Sequence, residues 1–207
     1  MDTSTKGKKP HHKGSAVLFK NPLLERLTRT PIVVPIAIFV VFTISLIYWT
    51  LHHALLSLWA ILIVFPVGFL TFTLIEYFVH RSLFHMVTDT KTKAKIQYIF
   101  HGVHHDYPRD KKRLAMPPLV SITITVFLFL IFKLIMNNYT FAFLPGFLVG
   151  YASYLLIHYA IHAYQPPNNF LKHLWINHSI HHYKDPERAF GVSSPLWDYI
   201  FRTIPKK

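Results

Sequence analysis

Cysteine is absent from this 207-residue chain. Disulfides, thiolate zinc sites and iron–sulfur clusters are therefore excluded, and a metal held by the protein must rest on histidine or carboxylate. Acidic residues are scarce too: nine Asp and Glu stand against 22 Lys and Arg, for a formal charge of +13. A secretory cleavage site is also missing, because the first apolar run is long enough to span a membrane and leads straight into another. Apolar residues are abundant. Hydrophobic residues make up 52% and aromatic residues 16%, which argues against an ordinary soluble protein.

Residues 1–20 read as a basic tail, disordered at its start, in which Lys6, Lys8, Lys9 and Lys13 mix with Gly, Ser, Thr and Pro. His11 and His12 in this tail read as solvated. Residues 21–205 read as one all-α membrane domain. Its four apolar runs are Ile32–Leu51, roughly Ala54–Val79, Leu119–Met136 and Phe141–Ala163. A crossing needs about 20 helical residues, so the pattern predicts four transmembrane helices in two hairpins. Pro35, Pro66 and Pro145 bend helices there without ending them.

The basic residues give these helices a direction. Seven Lys and Arg fall in residues 1–30, eight in 81–116 and six in 163–207, while the two short turns carry none. The positive-inside rule then puts both termini and the 81–116 segment in the cytoplasm. Lys133 snorkels to the opposite interface. The positive charge is a topology signal, and no nucleic-acid partner is implied.

Ten of the 15 histidines form four clusters. They are His80 with His85 (HxxxxH), His101, His104 and His105 (HxxHH), His158 with His162 (HxxxH), and His178, His181 and His182 (HxxHH). Residues at i, i+3 and i+4 share a helical face, so each HxxHH trio can converge on one point. All ten fall on the predicted cytoplasmic side. Four ligands saturate a structural zinc, so ten imidazoles suit two ions with five each and an open position on both. Imidazole accepts iron, zinc, copper or nickel alike. Glu76, four residues before His80, reads as a carboxylate that orients an imidazole N–H. Asp106 and Asp185 read either the same way or as solvated loop carboxylates. His52 and His53 are turn residues, and His173 is a cap or a headgroup contact.

In this order, the four clusters resemble the membrane fatty-acid hydroxylase and sterol desaturase superfamily. His101-Gly-Val-His104-His105-Asp-Tyr-Pro-Arg-Asp-Lys-Lys-Arg-Leu-Ala-Met-Pro-Pro looks like the segment that marks fatty acid 2-hydroxylases, and Phe190-Gly-Val-Ser-Ser-Pro-Leu-Trp-Asp198-Tyr-Ile-Phe is also family-like. The resemblance covers about residues 20–205. It implies a di-metal centre under a cytoplasmic helical cap, with the ten clustered histidines as ligands. It further implies two iron ions as the active metals, zinc as a plausible substitute, and O₂ as co-substrate. The implied reaction is 2-hydroxylation of a fatty acyl chain, free or in a ceramide-like lipid. Nothing resembles a fused cytochrome b5 domain, so a separate electron donor is expected, cytochrome b5 or ferredoxin-like with its reductase. The implied setting is the endoplasmic reticulum or a bacterial inner membrane.

On the same scaffold, the alternatives are a sterol or acyl desaturase, a sterol oxidase or a carotenoid hydroxylase. A histidine-rich metal transporter is a different class, but it would spread its ligands along a path near mid-membrane. Phe72, Ile75, Tyr154 and Leu155 are candidate acyl-chain contacts or packing residues. Arg109, Lys111, Lys112 and Arg113 are read as contacts to a headgroup or an acidic donor, or as membrane anchors.

Overall fold

The computed structural model describes residues 10, 11 and 13–205, and every regular element among them is helical. Residues 1–9, 12, 206 and 207 lie outside the described residues, so His12 and most of the basic tail's lysines do as well. The short helix α1 (Pro22–Leu27) starts where the Asn21 side chain accepts hydrogen bonds from the amides of Leu23 and Leu24. Two long helices follow, α2 (Val33–His52) and α3 (Leu58–Phe78). The apolar run expected from Ala54 becomes helical only at Leu58. Ala54 takes a positive φ of 49°, and Ser57 caps α3 by accepting from the Ala60 amide at 3.2 Å.

At its far end α3 passes directly into a π-helical turn, Val79–Phe84. The short helices α4 (Lys91–Gln97) and α5 (Val103–Asp106) are joined by a second π turn, Tyr98–Gly102. Next come α6 (Pro118–Met136), the 3₁₀ turn Asn137–Tyr139, α7 (Thr140–Ala163), α8 (Lys172–Tyr183) and α9 (Leu196–Ile200).

Among the described residues, three helical stretches are long and apolar enough to cross a membrane: Val33–His52, Leu58–Phe84 and Pro118–Ala163. The last is 46 residues long and contains both α6 and α7.

The central element is α7. Both α2 and α3 pack mainly against it, and not against each other as consecutive hairpin partners would; α6 also lies against it. The α3–α7 contact depends on small residues. A Cβ on Gly68 would lie 2.0 Å from the Phe143 carbonyl oxygen, and one on Gly146 would lie 1.9 Å from that of Phe65. The two backbones thus touch at paired glycines, as small residues permit between membrane helices. Above this contact Gly150 faces Phe72, and Phe39, Phe72, Leu144, Leu148 and Leu155 form the core. Phe72 and Leu155 are therefore packing residues, Tyr154 lies against the same cluster, and Ile75 is 40% exposed.

The N-terminal segment is tied to the loop after α5. Arg113 is buried and donates to the Ser15 hydroxyl (3.1 Å), the Ala16 carbonyl (2.7 Å), the Thr28 hydroxyl (2.8 Å) and the Glu25 carboxylate. Such a saturated guanidinium is a structural tie, unavailable to a headgroup. His11, expected to be solvated, is exposed but stacks on Tyr107 with ring centres 4.9 Å apart, and its amide donates to the Asp106 carbonyl.

Candidate metal centre

The ten clustered histidines come from the π turn after α3 and the residue capping it, the π turn before α5, α5 itself, the end of α7, and α8. They divide into two groups of five. His80, His85, His101, His105 and His181 form the first; His104, His158, His162, His178 and His182 form the second. Within each group one ring nitrogen from every residue lies within 4.8 Å of the others. Six of the ten, His80, His101, His104, His158, His178 and His181, are no more than 4% exposed.

Helical pitch explains the division and corrects the expectation that each HxxHH trio converges on one point. At 3.6 residues per turn, position i+3 lies about 60° to one side of position i and i+4 about 40° to the other. The i and i+4 members, His101 and His105, therefore enter the first group while His104 turns to the second. In α8 the assignment is mirrored: His178 and His182 belong to the second group and His181 to the first. Rings also pack across the divide, with His105 stacked on His182 at 4.2 Å.

His80 and His85 pose the opposite problem. Five residues apart, they would point about 140° away from each other on an α-helix. The π turn removes the mismatch, because its i→i+5 hydrogen bond, His85 amide to His80 carbonyl at 3.2 Å, makes residues five apart neighbours. The unusual HxxxxH spacing was the sequence signal for this turn.

Within the first group the Nε2 of His101 lies 3.0 Å from that of His80 and 2.9 Å from that of His105. In the second, Nε2–Nε2 separations of 2.9 to 3.1 Å link His104 to His158, His158 to His162, His162 to His178, and His178 to His182. Two imidazoles bound to one ion at about 2.1 Å and at right angles would be about 3 Å apart, so these spacings fit a cation between them.

The hydrogen bonds around the rings agree. His80 Nδ1 donates to the Phe190 carbonyl at 2.6 Å, and His181 Nδ1 to the Arg188 carbonyl at 2.8 Å. A carbonyl only accepts, so both rings carry their hydrogen on Nδ1 and turn an Nε2 lone pair inward. The buried Nε2 of His181 and of His85 have no partner among the described residues. Burial, reinforced by neighbouring imidazoles, holds His101, His104, His178, His181 and His182 well below the usual histidine range, and lowers His105 to about 3. Neutral imidazole is the form that binds metal.

The expected carboxylates sit farther out. Glu76 accepts from the amides of Val192 (2.8 Å) and Ser193 (2.9 Å) and from the Ser193 hydroxyl, so its hydrogen bonds go to a loop beside the site and not to an imidazole. Asp185 accepts from the Glu187 amide and pairs with Arg188 at 3.4 Å, ordering the turn that presents the Arg188 carbonyl. Asp106 contacts Tyr98 through its side chain, and this contact joins burial in raising the phenol to about 12. His52 and His53 pack on Tyr48 and Trp49 in the far turn. The ring of His173 bonds locally to the Phe170 carbonyl and enters neither group.

Residue-by-residue reading missed the two carbonyls at Arg188 and Phe190, and it missed Asp198. The Asp198 carboxylate accepts from the amides of Phe190 (3.0 Å) and Gly191 (2.8 Å) and from the Thr203 hydroxyl (2.6 Å). Burial raises its pKa, against the opposing pull of those three bonds. Beside the second group is a cavity of about 630 Å³, whose wall includes Arg109, Lys111, Tyr164 and Trp175 along with His162, His178 and His182.

The chain is 39% identical over 139 residues to the dihydroceramide fatty acyl 2-hydroxylase FAH2 of Arabidopsis thaliana, a match covering 67% of this chain and 59% of that protein. It is 35% identical over 204 residues to the ceramide very long chain fatty acid hydroxylase scs7 of Schizosaccharomyces pombe, covering 94% of this chain and 57% of the relative. The human fatty acid 2-hydroxylase is 38% identical over 152 residues, covering 69% of this chain and 40% of that protein. The chain thus spans roughly half the length of these curated relatives. A solved structure described as full-length scs7p, with only the hydroxylase domain visible, superposes with a TM-score of 0.82 at 36% identity, covering 95% of this chain and 75% of that one. The family model for fatty acid hydroxylases matches residues 65–203, which include all ten clustered histidines, and the chain belongs to that family.

Proposed function

We propose that this protein is a membrane oxygenase that uses two metal ions and O₂ to place a hydroxyl group on the 2-position of a fatty acyl chain. The observation that carries this reading is the division of ten buried or half-buried imidazoles into two groups of five in a chain of the fatty acid hydroxylase family. The named relatives act on fatty acyl chains, ceramide or dihydroceramide. The substrate proposed here is a lipid of that class, such as a ceramide-like amide or a free fatty acid.

The first group would hold one ion and the second the other. Iron is the proposed metal, with zinc as a substitute of similar ligand preference. Iron bound there supplies the oxygen-activating redox chemistry that an unactivated methylene requires. The overall balance is one oxygen atom into the C–H bond and the other reduced to water, with two electrons and two protons from outside. An electron donor, cytochrome b5 or ferredoxin-like, supplies the electrons.

The chain's own residues then do three things. His80 and His181, locked by carbonyl partners, keep Nε2 directed at the first group. The Phe190 ring packs edge-on against His80, His85 and His181 and limits water there. The cavity beside His162 and His178 gives the polar end of a lipid a place next to the second group, with Arg109 and Lys111 in its wall.

In this reading α2, α3, α6 and α7 each cross the bilayer, making four crossings. Residues 21–205 form the hydroxylase domain, and both termini and the centre face the cytoplasm. A centre at that boundary places chemistry near the headgroup end of a lipid, which favours the carbon next to the carbonyl. The test is lipid mass spectrometry of cells with and without this protein, grown under ¹⁸O₂. The expected product is a 2-hydroxyacyl lipid carrying one ¹⁸O, with none incorporated from labelled water. A new double bond without added oxygen would make the protein a desaturase instead.

A further inference from the structure

Four consecutive amides, those of residues 190 to 193, are each claimed by a buried carboxylate. Asp198 takes Phe190 and Gly191, and Glu76 takes Val192 and Ser193. The consequence for the histidines comes from peptide planarity. In a trans peptide the N–H and the preceding C=O lie in one plane and point in opposite directions. The Phe190–Gly191 peptide is therefore held at both ends: its N–H is 2.8 Å from Asp198 Oδ2, and its C=O is 2.6 Å from His80 Nδ1.

A second peptide group leads to the same carboxylate. The Arg188–Ala189 carbonyl receives His181 Nδ1 at 2.8 Å, and its N–H donates to the Thr203 carbonyl at 2.9 Å. Thr203 in turn donates its hydroxyl to Asp198 Oδ1 at 2.6 Å and its amide to the Asp198 carbonyl at 2.9 Å. The two imidazoles of the first group shown with Nδ1 on a backbone carbonyl, His80 and His181, thus both lead to one aspartate. In the second group the buried Nδ1 atoms of His104, His158, His178 and His182 have no partner among the described residues.

We propose that Asp198 is a positioning residue for the first group alone, setting the ring orientation of His80 and His181 through two peptide groups, so that its loss weakens one of two bound ions and spares the other. This rests on the reading that each group holds one ion. Carboxylates that orient metal-binding histidines usually do so by direct contact, and their removal costs about 10–100-fold in affinity. Here the carboxylate acts through an intervening peptide.

Asp198→Asn preserves size but turns an NH₂ group toward at least one of the donors now satisfied. The test is zinc(II) binding to the full chain purified in detergent, read by elemental analysis and by competition with a chelator. Wild type should hold two ions. Asp198→Asn should hold one at wild-type affinity and bind the other about 10–100-fold more weakly. Adding His181→Ala to Asp198→Asn should leave one tight ion, whereas adding His178→Ala should leave none. Equal weakening of both ions in Asp198→Asn, or a tight ion surviving in the Asp198→Asn/His178→Ala pair, overturns the proposal. A wild-type chain holding fewer than two ions refutes the two-ion reading itself, and the proposal falls with it. If Asp198→Asn does not give a monodisperse protein, Thr203→Val keeps the side-chain shape and removes the hydroxyl with its contacts to Asp198 and to the Tyr77 hydroxyl. It should weaken the same single ion, and unchanged affinity at both groups would overturn the proposal.

Discussion

His104 is the one member of the first HxxHH motif that turns to the second group, and His181 is the one member of the second motif that turns to the first. Each therefore tests its group without disturbing the motif's other pair. His104→Ala and His181→Ala are expected to lower metal content and abolish oxidation. His52→Ala and His11→Ala, at a far turn and on the Tyr107 ring, should retain wild-type metal content in elemental analysis. That the ten clustered histidines come together was legible in the sequence from four closely spaced imidazole clusters in a cysteine-free chain. Their division between two groups follows from helical pitch, although spacing alone suggested convergence. The carbonyls of Arg188 and Phe190 were not legible at all, since every residue carries a carbonyl and only the folded turn selects one. Asp198 is 16 residues past His182, and only the return of the chain beside the site brings its carboxylate into play.

At the level of elements, the long helices were legible from apolar length and their partners were not. Composition cannot say that α2 and α3, adjacent in sequence, both choose α7. For α3 the choice depends on close approach at Gly68 and Gly146, where any side chain on one helix meets the other's backbone. Backbone cannot swing aside as a flexible side chain can, so Gly146→Ala must push the helices apart. The expected cost is about 1–3 kcal/mol or more, seen as a lower thermal midpoint in detergent for Gly146→Ala and for Gly68→Ala. Gly14, which has a positive φ of 91° and only a distant contact with Tyr107, serves as the comparison for a glycine kept for its backbone conformation. The π turns belong at this scale too. Without the extra residue in Val79–Phe84, His80 and His85 could not face the same group.

For the whole molecule, the absence of cysteine makes topology directly measurable. With four crossings, Asn138 in the α6–α7 turn lies on the opposite side of the membrane from Lys91 at the start of α4. Single thiols introduced by Asn138→Cys and Lys91→Cys should label from opposite sides with a membrane-impermeant maleimide. Labelling from the same side would make Pro118–Ala163 something other than two crossings and would move the centre relative to the membrane. The orientation proposed here rests on the lysines and arginines alone, because charge placement is a property of sequence. The tie between Arg113 and the N-terminal segment was not legible, because a buried arginine and a surface arginine look the same in one dimension.

The way the ligands are shared along the chain also bears on how the protein is made. Each group of five draws members from α5 and from α8, so neither is complete until residue 181 or 182 has left the ribosome. By then α2, α3, α6 and α7 have already been synthesised. A nascent chain therefore passes through the insertion machinery with incomplete groups, and under the two-ion reading loading would be a late step of biogenesis. A chain truncated before residue 178 would lack members of both groups at once.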